Sequence, residues 1–443
     1  MQFLRSLYLS KRFFILMGSI ILLAILGYLL PWMLFLAHIT LLVTIVAALV
    51  DLMLLYGTRD GIKANRDCPV KLSNGDINPI HINIENRYNI PIRITIVDEL
   101  PVQFQKRDLK HHLNMSGGKS STISYDLRPV ERGEYHFGKI NIFVNTLVGI
   151  ITRRYRLNQK QMIPTYPSFM QMHKYELLAI SNRLHEAGVK KIRRIGHQME
   201  FDQIRDYVRG DDYRTINWKA TARKSQLMVN QFQDEKSQPV YCILDMGRSM
   251  KMPFEGMTLL DYAINSSLVI SNTATIKHDK AGLITFGHKI QSMVPAQSNR
   301  PHMLKIMEVL YNQSPQFLEP NFEMLYATVL NKIRQRSLLL LFTNFQSLNS
   351  MKRQLPYLKG LARKHLLVVI FFSNSEIKKL MKKPSSSMED IYIKTIGEKF
   401  HYDKKQIVKE LQRQGIHAIL TEPHKLTINT LNKYLELKAR GLI

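Results

Sequence analysis

The chain has 443 residues, 45% of them apolar, and a formal net charge of +27 at pH 7. It is long and apolar enough for two or three domains with cores of their own, which excludes a wholly disordered chain. Its two cysteines, Cys68 and Cys242, stand outside any CxxC or Cys/His pattern, so a disulfide scaffold and structural zinc have no basis. Three basic residues and one acid precede residue 57, so nearly all of the positive charge lies beyond it and favours anionic partners: lipid headgroups, an acidic protein surface or nucleic acid.

Residues 1–60 read as a membrane hairpin. Phe13–Leu30 and Trp32–Val50 are uncharged runs of 18 and 19 residues, each long enough to cross a bilayer core as a helix. Pro31 between them predicts a tight turn. Arg5, Lys11 and Arg12 precede the first run, and Arg59, Lys63 and Arg66 follow the second. Two spans put both flanks on one side, which the positive-inside rule makes the cytoplasm.

Residues 61–165 carry short alternating segments, among them Ile80–Glu85 and Ile92–Ile96, with glycines between later ones. This spacing predicts a small β-sandwich. The polar stretch His111–Ser121 reads as a loop, with its His111-His112 pair on the surface.

In the connecting stretch 166–238, a helix is expected over Met172–Leu184, followed by the basic run Lys190–Arg194, suited to headgroups or an acidic partner. Then comes QMEFDQIRDYVRGDDYRTINWKATARK, residues 198–224. An extended segment through Asp202 and Arg205 leads past Tyr207 to a turn at Gly210-Asp211-Asp212. Arg214, Trp218 and a short basic helix containing Arg223 follow. Glycine frees the turn's backbone and the aspartates close it. The segment is too charged for a core and too aromatic for a solvated loop, so it predicts a folded clasp that fixes neighbouring elements.

Residues 239–443 alternate strands and helices. Pro239–Asp245 is an apolar strand ending in aspartate, and Leu338–Phe342 and Leu366–Phe372 are wholly apolar, as strands buried on both faces are. A helix near Lys404–Arg413, a strand at Ile416–Leu420 and a terminal helix from Thr427 to Ala439 complete the series. This is the pattern of a doubly wound, mostly parallel sheet. The whole chain is thus of α/β class, with a transmembrane hairpin and a β-module in front.

The segment from Glu200 to Phe232 resembles the signature of the domain of unknown function 58 family, on Asp202, Arg205, Tyr207, Gly210, Asp211, Asp212, Arg214, Trp218 and Arg223. That resemblance implies a bacterial inner-membrane protein whose signature leads into a von Willebrand factor A-like domain, and association with a MoxR-type AAA+ ATPase. Asp245-Met246-Gly247-Arg248-Ser249 resembles the DxSxS metal-ion-dependent adhesion motif of such domains. By that resemblance the metal ligands are Asp245, Ser249, Asn321 and Asn344, and hard oxygen donors suit magnesium. Gly247 replaces the first serine and the asparagines replace a threonine and an aspartate, removing charge and a hydroxyl. The favoured expectation is therefore that Asp245 and Ser249 cap the loop and the following helix. Arg248 is placed to neutralise Asp245 and to receive a partner's acid.

No GxxxxGK[ST], HExxH or GxSxG motif occurs, nor GxGxxG after a strand, so an interaction protein rather than an enzyme is expected. The alternatives are a basic module binding lipid surfaces or nucleic acid, the latter disfavoured because Lys and Arg are scattered, and a hydrolase using the clasp acids.

Overall fold

The computed structural model describes residues 5–106, 109–157, 159–180, 199–234, 237–373 and 388–442. It divides into two compact units, Met1–Tyr166 and Pro167–Ile443. The basic run 190–194 lies outside the described residues.

The first unit opens with a short strand, β1 (Leu7–Leu9), then helix α1 (Lys11–Leu26) and helix α2 (Pro31–Tyr56), which pack against one another. Pro31 does not form the turn. The turn falls on residues 27–30, and Pro31 opens α2 as its first residue, where its missing N–H has no partner to lose. At 26 residues and with few buried side chains, α2 is the one helix among the described residues long and apolar enough to cross a membrane. Helix α1 has 16 residues, about 24 Å at 1.5 Å per residue, short of a hydrocarbon core of about 30 Å.

Ten strands follow: β2 (Ile62–Asp67), β3 (Leu72–Ser73), β4 (Asn78–Asn86), β5 (Ile92–Asp98), β6 (Lys110–Met115), β7 (Ser120–Leu127), β8 (Gly133–Phe137), β9 (Ile140–Asn145), β10 (Ile151–Leu157) and β11 (Gln161–Tyr166). They form sheets ordered β1-β10-β9-β5-β6, β2-β4-β7 and β3-β11-β8. Alternate residues of β4 and β5, such as Ile80, Ile82, Ile94 and Ile96, turn inward to one shared core. The stretch expected as a loop, His111–Ser121, is instead most of β6, a turn and the start of β7, which belong to different sheets: Leu113 and Met115 pack against or enter the core, and Gly118 sits in the turn at φ +67°. Strand alternation sends His111 onto Tyr125 and His112 to the Thr95 hydroxyl, so the two imidazoles are not a chelating pair.

Two polar grips, the first of them buried, hold α2 to the sheets. Asp51 accepts hydrogen bonds from the Thr146 hydroxyl and from the Ile150 and Ile151 amides at 2.8 and 3.1 Å. One turn on, Arg153 donates to the carbonyls of Leu55, Thr58 (2.7 Å) and Arg59 (3.0 Å), satisfying one free C-terminal acceptor of the helix and two carbonyls just past its end.

The second unit begins with α3 (Phe169–Ile180), which packs on the α/β core through Tyr175 and Ala179. The clasp follows, built of β12 (Met199–Asp206), α4 (Trp218–Lys224) and β13 (Met228–Asp234). Next come β14 (Pro239–Asp245), the two-residue strands β15 (Pro253–Phe254) and β16 (Met257–Thr258), α5 (Leu259–Ile276), β17 (Lys280–Phe286), β18 (Ile290–Gln297), α6 (Arg300–Tyr311), α7 (Phe322–Lys332), β19 (Leu338–Phe342), α8 (Leu348–Lys364), β20 (Leu366–Phe372), α9 (Met388–Arg413), β21 (His417–Thr421) and α10 (Leu426–Ala439). The central sheet has the order β18-β17-β14-β19-β20-β21, parallel except at β18. Every residue of β14 and β19 is buried, with one core on each face. The strand order reverses between β14 and β19, and in open sheets a crevice forms at that switch, outside the carboxyl ends of the strands.

Candidate functional site

Asp245 ends β14 at the switch point and is 1% exposed. One carboxylate oxygen accepts the Thr343 hydroxyl at 2.6 Å, and the other accepts the Gly247 amide at 2.7 Å. Burial pushes its carboxyl up to about 6, against the pull of those two donors. Asp245 therefore caps its own loop, as expected. Ser249 does not: its carbonyl accepts the Asn344 amide at 3.2 Å, and α5 is capped by Thr258 in a reciprocal box with Asp261.

Arg248 does not neutralise Asp245. It points away from Asp245 to Glu319 at 3.3 Å, and both side chains are largely exposed. Burying a guanidinium beside Asp245 would require desolvating it, whereas at the surface it keeps its water. Asn321 caps α7 by accepting the Met324 amide at 3.0 Å. Asn344, 7% exposed, accepts on its side-chain oxygen from the Lys404 ammonium at 2.6 Å. Where the motif has its first serine, a Cβ on Gly247 would lie 2.6 Å from the Pro320 ring, so Pro320 occupies the side chain's place.

Lys404 was not legible in the sequence. It sits on α9, and its ammonium lies over the Phe371 ring at 5.6 Å. Burial alone lowers it to about 7. Asn344 and Lys404 line a cavity of about 350 Å³ whose walls are otherwise largely apolar, including Pro253, Phe254, Leu259 and Phe372. Beside Arg248 the surface exposes Phe317 and Leu318.

The clasp is a hairpin closed by its own side chains. Arg205 makes a two-pronged ion pair with Asp211 at 2.7 and 2.9 Å, and Asp211 also accepts the Val208 amide. That pairing, foremost the guanidinium, holds the Asp211 carboxyl below its ordinary range. Gly210 takes φ +116°, open to glycine and strained for other residues. Asp212 caps the turn at Arg214, and Asn217 caps α4. Among the described residues, the hydrogen bonds of 203–231 close within the clasp. Trp218 is 69% exposed, not packed as the expected clamp. Tyr207 is partly buried, while Arg214 and Arg223 face solvent. For Asp202 only the backbone is described.

Strand order and crevice together define a doubly wound α/β domain with a site at its switch point. Residues 203–391 match the family described as protein of unknown function DUF58. The chain is 25% identical over 273 residues to the uncharacterized protein YeaD of Bacillus subtilis, a match spanning 58% of this chain and 64% of that protein. Among solved structures it is similar to the VWA domain of SpRpn10, at 12% identity over 44% of this chain and 93% of that one with a TM-score of 0.28. It is also similar to the CARDB domain of the PF1109 protein from Pyrococcus furiosus, at 10% identity over 24% and 93% with a TM-score of 0.17. The strand order, not these likenesses, carries the description of the fold.

Proposed function

We propose that this chain is a membrane-anchored scaffold that binds a protein partner at the switch-point crevice of its α/β domain. The observation that carries the reading is a continuous one on α9. Tyr392, Ile396 and Phe400, spaced four apart to share one helix face, are exposed, and the same helix then places Lys404 in the crevice. Exposed apolar stripes of this kind mark interaction surfaces. Apolar α2, exposed along most of its length, supports the anchor, because a soluble core helix would be buried. In this reading the uncharged run from Phe13 through α1 and the turn to Leu30 forms one span of a bacterial inner membrane and α2 the other, with the sheets of the first unit and the whole second unit in the cytoplasm. The partner implied by the signature resemblance is a MoxR-type AAA+ ATPase.

The reading is one of binding rather than turnover. The residues proposed for magnesium do not fit it: Asp245 has both oxygens engaged, Asn344 already holds an ammonium and Asn321 caps a helix. We therefore derive no role for the ion. The test is crosslinked affinity purification of the full-length protein from native membranes, in magnesium and in EDTA, with mass spectrometry. Recovery of one AAA+ ATPase in both buffers is expected. Recovery of lipid or nucleic acid alone, lost steeply with salt, would overturn the reading.

A further inference from the structure

We propose that the crevice receives an aspartate or glutamate side chain of the partner directly on Lys404, with no divalent cation between them. This rests on the protein-binding reading and names the chemistry of its site. Lys404 takes the very Asn344 oxygen that the motif resemblance assigns to a metal. Asn344 is neutral, and among the described residues no carboxylate lies within ion-pair distance of the ammonium. A cation held in a largely apolar wall with a single amide acceptor is undercompensated, and a carboxylate entering the cavity completes its shell.

The surroundings select the ligand further. The cavity, about 350 Å³, is at the small end of the range for ligand pockets, roughly 300–1,000 Å³. Its lining holds one ammonium, Lys404, with His401 as the other basic side chain and no arginine, which suits a single carboxylate better than a phosphate. Apolar walls and the exposed stripe on α9 call for apolar residues flanking the acid, as a folded partner or peptide supplies and a free small acid does not. Arg248 is excluded as the receiver because it already pairs with Glu319 in water.

The full-length protein in lipid nanodiscs is titrated with N-acetyl-Phe-Asp-Leu-amide and its Asn counterpart by ligand-observed NMR, in magnesium and in EDTA. The Asp peptide is expected to bind at least about tenfold more tightly than the Asn peptide, equally in both buffers, since a charge-assisted contact on a desolvated cation is worth that much. Lys404→Met, which keeps the stem and removes the charge, should abolish the difference. Asn344→Asp, which hands Lys404 an internal carboxylate, should weaken Asp-peptide binding about tenfold in EDTA and covers the case in which Lys404→Met fails to fold. Binding that requires magnesium, that is unchanged in folded Lys404→Met, or that is absent altogether overturns the proposal. Capture of the same partner by wild type and Lys404→Met leaves the scaffold reading standing and removes this one. A Lys404-dependent peptide site with no protein captured does the reverse.

Discussion

Replacing Asp245 by Asn should stabilise the protein at neutral pH. Burial raises this carboxyl from 3.8 to about 6, so its ionised form is disfavoured in the fold relative to the unfolded chain. The sign follows: its contribution is fully present below about pH 4 and is lost as pH rises to about 6. At 1.36 kcal/mol per pH unit, about 3 kcal/mol is lost by pH 7, and full burial means solvent does not screen it. Asparagine retains the Gly247 contact on its oxygen, and its amide can donate to Thr343, whose hydroxyl rotates to accept. The assay is thermal unfolding of wild type and Asp245→Asn, both full-length in micelles, from pH 4 to 8 with EDTA and then with magnesium. The wild type should fall behind the variant by about 3 kcal/mol between pH 4 and 7, with magnesium making no difference. Parallel pH curves, or a variant less stable at pH 7.5, would refute the reasoning. So would a wild type rescued by magnesium, because a bound cation would lower the carboxyl instead of leaving it raised.

Other expectations are local. Gly247→Ser restores the motif's first serine but drives its Cβ into the Pro320 ring, so it should lower stability by about 1–3 kcal/mol in chemical denaturation. Calorimetry should show no gain in magnesium binding. Asp51→Ala strips an acceptor from the Thr146 hydroxyl and two buried amides, and should cost about 2–5 kcal/mol in detergent unfolding. Asp211→Asn loosens the Arg205 pair and the turn amide. It should speed hydrogen exchange at Val208 while leaving the melting temperature of the α/β core unchanged.

Much of the α/β frame was legible because burial on two faces writes itself as uninterrupted apolar runs. Leu338–Phe342 and Leu366–Phe372 are strands with those same bounds. Helix α8 between them was not foreseen: its buried residues Met351, Leu358 and Leu361 are diluted by basic residues, and Pro356 reads as a breaker. The same dilution hid the first half of α9, which starts at Met388 and not near Lys404, and with it the stripe and the crevice lysine. Asp245 was found because a carboxylate at the end of an apolar strand is conspicuous. Its partner Thr343 and the lysine that holds Asn344, Lys404, were not, since both reach the site from distant points in the chain. The direction of Arg248 depended on Glu319, 71 positions away, which no local pattern reports.

The two grips on α2 have a mechanical consequence. Asp51 and Leu55 lie one helical turn apart, and each is bound by the segment around β10, by backbone amides at the first and by Arg153 at the second. A single attachment would act as a swivel, letting the sheets spin about the helix axis, but two attachments along one helix face lock the azimuth. Embedded in a bilayer, this unit would therefore show the same flank to the lipid at all times, and torque on its sheets would be transmitted to the helix as tilt.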